Sequence, residues 1–337
     1  QTAPQTSPSA ATASKPAPAP APARPAAPQT QLFVGETLQG AMDLLDALDW
    51  IALNAQSGGN YTIVLGKDYA LPPTELNYDK KTVAVTLKSA GGNRTVKFEG
   101  SSPAYSLFIV SPGVTFTLEE GVTLLGAKND AAKSLVEVSG GRFVMNGGVI
   151  TGNSRRGNGG GVLVNSGTFT MNGGTISGNT ANGMGGGVFV GGTFTMNGGT
   201  ISGNTTNGGG GGVGASSGAF TMNGGTISGN TANGSGNSGG GGVYVGDKGT
   251  FTMSGGTING NTSLSRGGGV YMFSSAFVKS GTGGIIYGSN APEEQANKAK
   301  DDSSGHAVYA NGKKRNTTAR TSTAMDSGKD GPAGGWE

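Results

Sequence analysis

The sequence predicts an all-β fold: a parallel β-helix, or β-solenoid, with three strands per coil and about ten coils, preceded by a capping helix. Three observations carry the prediction. A unit recurs almost verbatim, as GTFTMNGGTISGNTANGMGGGV at 167–188 and GTFTMNGGTISGNTTNGGGGGV at 192–213. Within each unit large apolar residues alternate with small polar ones, the period of a strand. Glycine supplies 67 of 337 residues, too many for helices.

The spacing fixes the details. Phe143, Phe169, Phe194, Phe220, Phe251 and Phe277 recur at steps of 26, 25, 26, 31 and 26. Met145, Met171, Met196, Met222 and Met253 follow the first five at two residues, and then come Ile150, Ile176, Ile201, Ile227 and Ile258. Three residues further lie Asn153, Asn179, Asn204, Asn230 and Asn261, and each unit closes on GGGV or its equivalent. The step of 31 reflects extra turn residues around GSGNSGG (234–240), an insertion at one corner.

Each unit offers three extended pieces, TFTMN, GTISG and GGVFV. In a strand Phe169 and Met171 point one way and Thr168 and Thr170 the other; likewise Ile176 faces in while Thr175 and Ser177 face out. One unit has too little apolar surface to fold alone. Stacked at ~4.8 Å, the units pile Phe169, Phe194, Phe220 and Phe251 into one core column. Met171, Met196, Met222 and Met253 make a second, and Ile176, Ile201, Ile227 and Ile258 a third. Glycines suit the corners, where tight turns need positive φ. The corner asparagines either stack into a ladder of side-chain amides or serve as left-handed turn residues. Ten coils make a rod of ~50 Å. A leucine-rich repeat is excluded because its consensus is absent, and a propeller because its blades need ~40 residues.

The rest of the chain divides accordingly. Residues 1–31, with KPAPAPAPARPAAP at 15–28, read as a disordered Ala/Pro-rich tail, either a tether or a flexible terminus. Residues 32–58 read as the capping helix: across 36–54, Leu38, Met42, Leu45, Leu48 and Ile51 form an apolar stripe that would cover the strand edge of the first coil. Residues 59–142 read as irregular coils, 143–290 as the regular repeats, and 291–337 as a terminal coil and tail. A chain that begins at Gln1 rather than Met reads as a processed, exported form or as a trimmed one.

Composition narrows function. Without cysteine there are no thiolate metal sites and no cysteine nucleophile. A net charge of +3 exerts no strong pull on nucleic acid, and no apolar run reaches the ~20 residues of a membrane span. In 140–289 the sole acid is Asp247, in the turn GDKG, which is neither a carboxylate pair nor a calcium cage. The earlier coils hold Asp68, Glu75, Asp79, Glu99, Glu119, Glu120, Asp130 and Glu137, but adjacent Glu119 and Glu120 face opposite sides of a strand. His306, the one histidine, suits the final coil. Arg155–Arg156 and Lys313, Lys314, Arg315 read as solvated surface. No catalytic residue, metal ligand or cofactor is therefore assigned.

FTMN followed by GGGV resembles the FxxN and GGA[ILV] signatures of the polymorphic outer-membrane-protein repeat family, over roughly 143–275. The resemblance implies a right-handed β-helix of the pectate-lyase type, export to the cell surface, periplasm or extracellular space, and an adhesive or display role. The family's autotransporters carry a C-terminal barrel, and residues 303–337 show no series of membrane strands. The wider superfamily also includes polysaccharide lyases and hydrolases.

The expected function is thus a non-catalytic exported display rod. Its partners would be host or cell-surface glycans or proteins, with self-association through the faces or ends of the rod. A carbohydrate-active enzyme is the first rival. The second is an ice- or glycan-binding module using the outward columns Thr170, Thr195, Thr221, Thr252 and Thr175, Thr200, Thr226, Thr257. Threonine's strand propensity explains the same columns without any ligand.

Overall fold

The computed structural model describes residues 29–310, apart from 101–104, 129–132, 274–276, 280–283, 290 and 302–303, together with a strand at 313–315. Residues 1–28 of the expected Ala/Pro-rich tail, Asp130 and residues 316–337 lie outside the described residues; the end of that tail is ordered instead, with Thr30 buried and Gln31 opening a strand.

The chain is an all-β parallel solenoid of about eight turns. Its strands form a 19-stranded, a 9-stranded and a 5-stranded sheet. The turn number falls below the expected ten because some turns are long. The step from Asn230 to Asn261 is 31 residues and that from Asn261 to Asn297 is 36. At ~4.8 Å per turn the stack is ~38 Å long.

Register is exact in kind, like on like. Phe169 pairs with Phe194, Phe194 with Phe220 and Phe220 with Phe251, and the methionines two residues on pair in the same way. The phenylalanine rings sit inside, 4.6–4.9 Å apart and within 7–11° of parallel. Ile176, Ile201, Ile227 and Ile258 form the next buried column. The irregular coils feed the same columns with other residues: Val85 and Phe116 continue the phenylalanines, Leu87 and Leu118 the methionines, and Val96 and Leu124 the isoleucines. Any apolar side chain of similar bulk keeps a column filled, so the early coils need no strict motif.

Two details of the coil differ from the simple triangle. TFTM and VFV belong to one sheet, and in Val136–Met145 and Val162–Met171 they merge into single strands. The third side is a two-residue strand after the corner asparagine, such as Thr180–Ala181 or Thr205–Thr206. At the GGGV corner glycine is required by φ at the first position, 70° at Gly185 and 75° at Gly210, and by close approach at the second. A Cβ on Gly186 would lie 2.4 Å from the carbonyl oxygen of Gly211, one rung on.

The N-terminal cap is a correction. Strand β1 (Gln31–Val34) and strand β2 (Thr37–Ala41) form a hairpin, and only then does helix α1 (Leu44–Asn54) begin. Strand β1 pairs antiparallel with β3 (Gly59–Leu65), so the hairpin closes the edge that the helix was expected to cover. Gly35 turns the hairpin at φ 57°, and pairing removes Thr37–Ala41 from the helix. The buried stripe therefore shifts to Leu44, Ala47, Leu48 and Ile51, while Leu38 and Leu45 are exposed. At the opposite end Val308–Ala310 pairs antiparallel with Lys313–Arg315. An antiparallel strand of basic residue types is a poor template for further pairing.

The stack predicts a sharp contrast between neighbouring positions. Phe194→Ala should lower unfolding free energy by about 3–5 kcal/mol, as a core cavity does. Thr195→Ala, one residue away but facing out, should stay within about 1 kcal/mol, both read from urea midpoints.

Candidate functional surface

The outward threonines form strips along the rod. Thr170, Thr195, Thr221 and Thr252 pair in register, half-buried, and Val144 precedes them in the column. Thr175, Thr200, Thr226 and Thr257 do the same on the 9-stranded sheet, beside Ser177, Ser202 and Ser228. The parallel column of Thr168, Thr193 and Thr250 is broken by Ala219. Because the two unbroken columns belong to different sheets, they make two strips and not one site.

Two further strips escape a reading by strands. Thr180, Thr205, Thr231 and Thr262 stack on the third, shortest sheet. Its two-residue strands are too short to show alternation, although the recurring Asn-Thr was visible. Between the first two threonine strips runs an exposed ladder of amides. Asn172 donates to Asn146 at 2.9 Å, Asn197 to Asn172 at 2.9 Å and Asn223 to Asn197 at 2.9 Å. Asn146 donates to Glu119 at 2.8 Å, and Ser254 to Asn223 at 2.8 Å.

The corner asparagines also form a ladder, inside the rod. Asn179 donates through Nδ2 to Oδ1 of Asn204 at 3.1 Å, Asn204 to Asn230 at 3.0 Å and Asn230 to Asn261 at 2.9 Å. Asn261 donates to Asn297 at 2.9 Å, a member hidden in the sequence because its step is 36 and no glycine precedes it. Each Oδ1 also accepts a backbone N–H from the rung before, as Asn204 does from Asn179 at 3.0 Å. The turn role falls elsewhere: positive φ belongs to the preceding Gly178, Gly203, Gly229 and Gly260, at 60–62°. These amides are buried, and each Nδ2 from Asn179, Asn204, Asn230 and Asn261 donates both to its neighbour and to a backbone carbonyl, as Asn204 does to Ile176 at 2.9 Å.

The titratable residues fall into structural settings. Asp68 accepts the Thr95 N–H at 2.8 Å. Glu75 accepts the Ser111 hydroxyl at 2.7 Å and Glu137 that of Ser106 at 3.0 Å. Glu75 and Glu137 share one outward column, separated by Ile109, hence two rungs or ~9.6 Å apart. Sequence spacing alone did not join them, because the coils between them are irregular. His306 lies in the last turn, where Nδ1 accepts the Ala299 N–H at 3.0 Å. Arg155 corrects the expectation of a solvated pair. It is buried at a position that Ala181 occupies one rung on, and its guanidinium donates to the Ser134 hydroxyl. Burial pulls its pKa down, and Glu137 acts the other way.

Among the described residues no His, Cys, Asp and Glu group together as a metal would require, and no helix is long and apolar enough to cross a membrane. Comparisons with protein-family models, with curated proteins and with solved structures yield no match.

The two ladders should respond differently to truncation. Asn204→Ala strands the buried Asn179 N–H, while Asn179 Nδ2 keeps the Ile150 and Ser177 carbonyls, and should cost about 1–3 kcal/mol, the loss for one orphaned group. Asn197→Ala exposes its neighbours only to water and should cost under about 1 kcal/mol, measured by the same urea titration.

Proposed function

We propose that this chain is a non-catalytic display rod, exported and working at a cell surface or outside the cell, that adheres through its repeated faces. The observation that carries the reading is the repetition itself. Successive rungs present the same outward Thr, Ser and Asn at one spacing, over a core that serves only to hold them there. A single rung offers a weak hydroxyl or amide contact. A row of identical contacts engages a repetitive polymer or surface many times at once, and avidity rises without any new type of contact. Export and surface location draw on the resemblance of FTMN and GGGV to the polymorphic outer-membrane-protein repeats, a kinship that remains part of this proposal.

The rival is a carbohydrate-active enzyme. Glu75 and Glu137 are its nearest support, their ~9.6 Å rung separation lying just beyond the ~6.5–9.5 Å of inverting glycosidases. Against it, each carboxylate is engaged by a serine hydroxyl from its own framework. A glycan array with the intact chain, coupled to a reducing-sugar assay on acidic and neutral polysaccharides, separates the two. The display reading predicts binding without turnover, weakened at least tenfold by Thr195→Lys with Thr221→Lys. Turnover abolished by Glu75→Gln or Glu137→Gln would overturn it.

A further inference from the structure

A regular solenoid has flat faces, and concavity arises where the repeat is broken. The longest regular unit, the step of 31 from Phe220 to Phe251, breaks it twice. One break is the GSGNSGG corner. The other is VGDKGT (245–250), where earlier units read VGGT (190–193) and ASSGA (215–219). At this second break lies a cavity of about 290 Å³, lined by Ser216, Ser217, Tyr244, Asp247, Lys248 and Phe273. Its walls come from three successive rungs, a span of ~10 Å.

The local backbone holds these side chains in place. Gly249 N–H donates to the Gly246 carbonyl at 3.1 Å, closing a turn with Asp247 and Lys248 at its tip. Gly246 is tied to Ala215 at 2.9 Å in the rung before, and Phe273 to Val245 at 2.9 Å in the rung after. Tyr244 is nearly buried and stacks on Tyr271 at 5.6 Å, forming a rigid wall. Its hydroxyl is pushed up by burial first, then by the neighbouring Tyr271 and the charge of Asp247. Phe273, by contrast, is 36% exposed.

We infer that this cavity is a shallow saccharide-binding site, taking a neutral sugar unit of a polysaccharide. The exposed Phe273 ring offers an apolar face for the C–H side of a pyranose. Asp247 accepts from neighbouring sugar hydroxyls, Lys248 donates, and Ser216 and Ser217 do either. One apolar platform with a few convergent polar groups is the usual make-up of a small-ligand site. A free anion would meet the Asp247 carboxylate, and a single carboxylate is too few for calcium. The inference deepens the display reading and rests on it for a polysaccharide partner. It adds a specific contact at the irregular rung to the repeated contacts of the threonine strips.

Affinity electrophoresis of the intact chain through gels holding a β-glucan, a mannan or a xylan tests it. At least one gel should retard the chain. Phe273→Ala and Asp247→Asn should each weaken that retardation at least tenfold, with unchanged thermal melts, while Asp49→Asn, exposed on α1, leaves it intact. Failure of all three gels, or equal retardation of both pocket variants, would overturn the site. Retardation lost in the Thr195→Lys, Thr221→Lys chain but kept in both pocket variants would overturn the site, while leaving adhesion through the faces standing. Clearing of the polysaccharide would count against the display reading, and the site would still be supported if the pocket variants lose retardation.

Discussion

Like-on-like stacking between successive rungs is the constraint on which the rest of the molecule depends. A parallel ladder sets every residue over its counterpart at ~4.8 Å, so whatever the sequence repeats becomes a column. Inside, the columns are phenylalanine, methionine and isoleucine, all buried, with the phenylalanine rings stacked. Such a column tolerates exchange of shape only where neighbouring side chains change with it; the regular units are nearly identical, and the early coils mix Val, Leu and Phe.

The asparagine ladder adds what the apolar columns lack. Hydrophobic contact is non-directional and allows a rung to slide. A buried amide bound to its counterpart on either side does not, since a slip of one residue would leave donors and acceptors unpaired. Glycine completes the arrangement by letting backbones approach at the GGGV corner, where the Gly186 N–H donates to the Gly210 carbonyl at 3.0 Å and the Gly211 N–H to that of Gly240 at 3.1 Å. The same ladder would grow without end if nothing stopped it. Antiparallel pairing at both ends of the largest sheet, by β1 and by Lys313–Arg315, supplies the stop.

How much of this was legible depended on repetition. The columns from Phe169 to Phe251 could be read directly, because identical residues at near-constant steps leave one way to stack. The N-terminal cap could not, because Leu38 and Met42 fit a helical period and a hairpin strand alike, and only pairing with β3 decides between them. The short Thr180–Ala181 side of the coil is below the length at which alternation shows. Arg155 looked solvated because nothing in its own neighbourhood says that it occupies the position of Ala181. The threonine strips were legible residue by residue, yet their separation onto different sheets was not. The cavity at Asp247 was visible only as an irregularity, one residue too many in a corner.

Since the chain holds no cysteine, introduced pairs report on register cleanly. In-register stacking places Thr195 and Thr221 directly opposite each other on the outer face, within the 4.4–6.8 Å Cα separation that a disulfide spans. Thr195→Cys with Thr221→Cys should therefore cross-link on mild oxidation, and Thr195→Cys with Asn223→Cys should not. The reverse pattern, or equal cross-linking of both pairs, would contradict the stack.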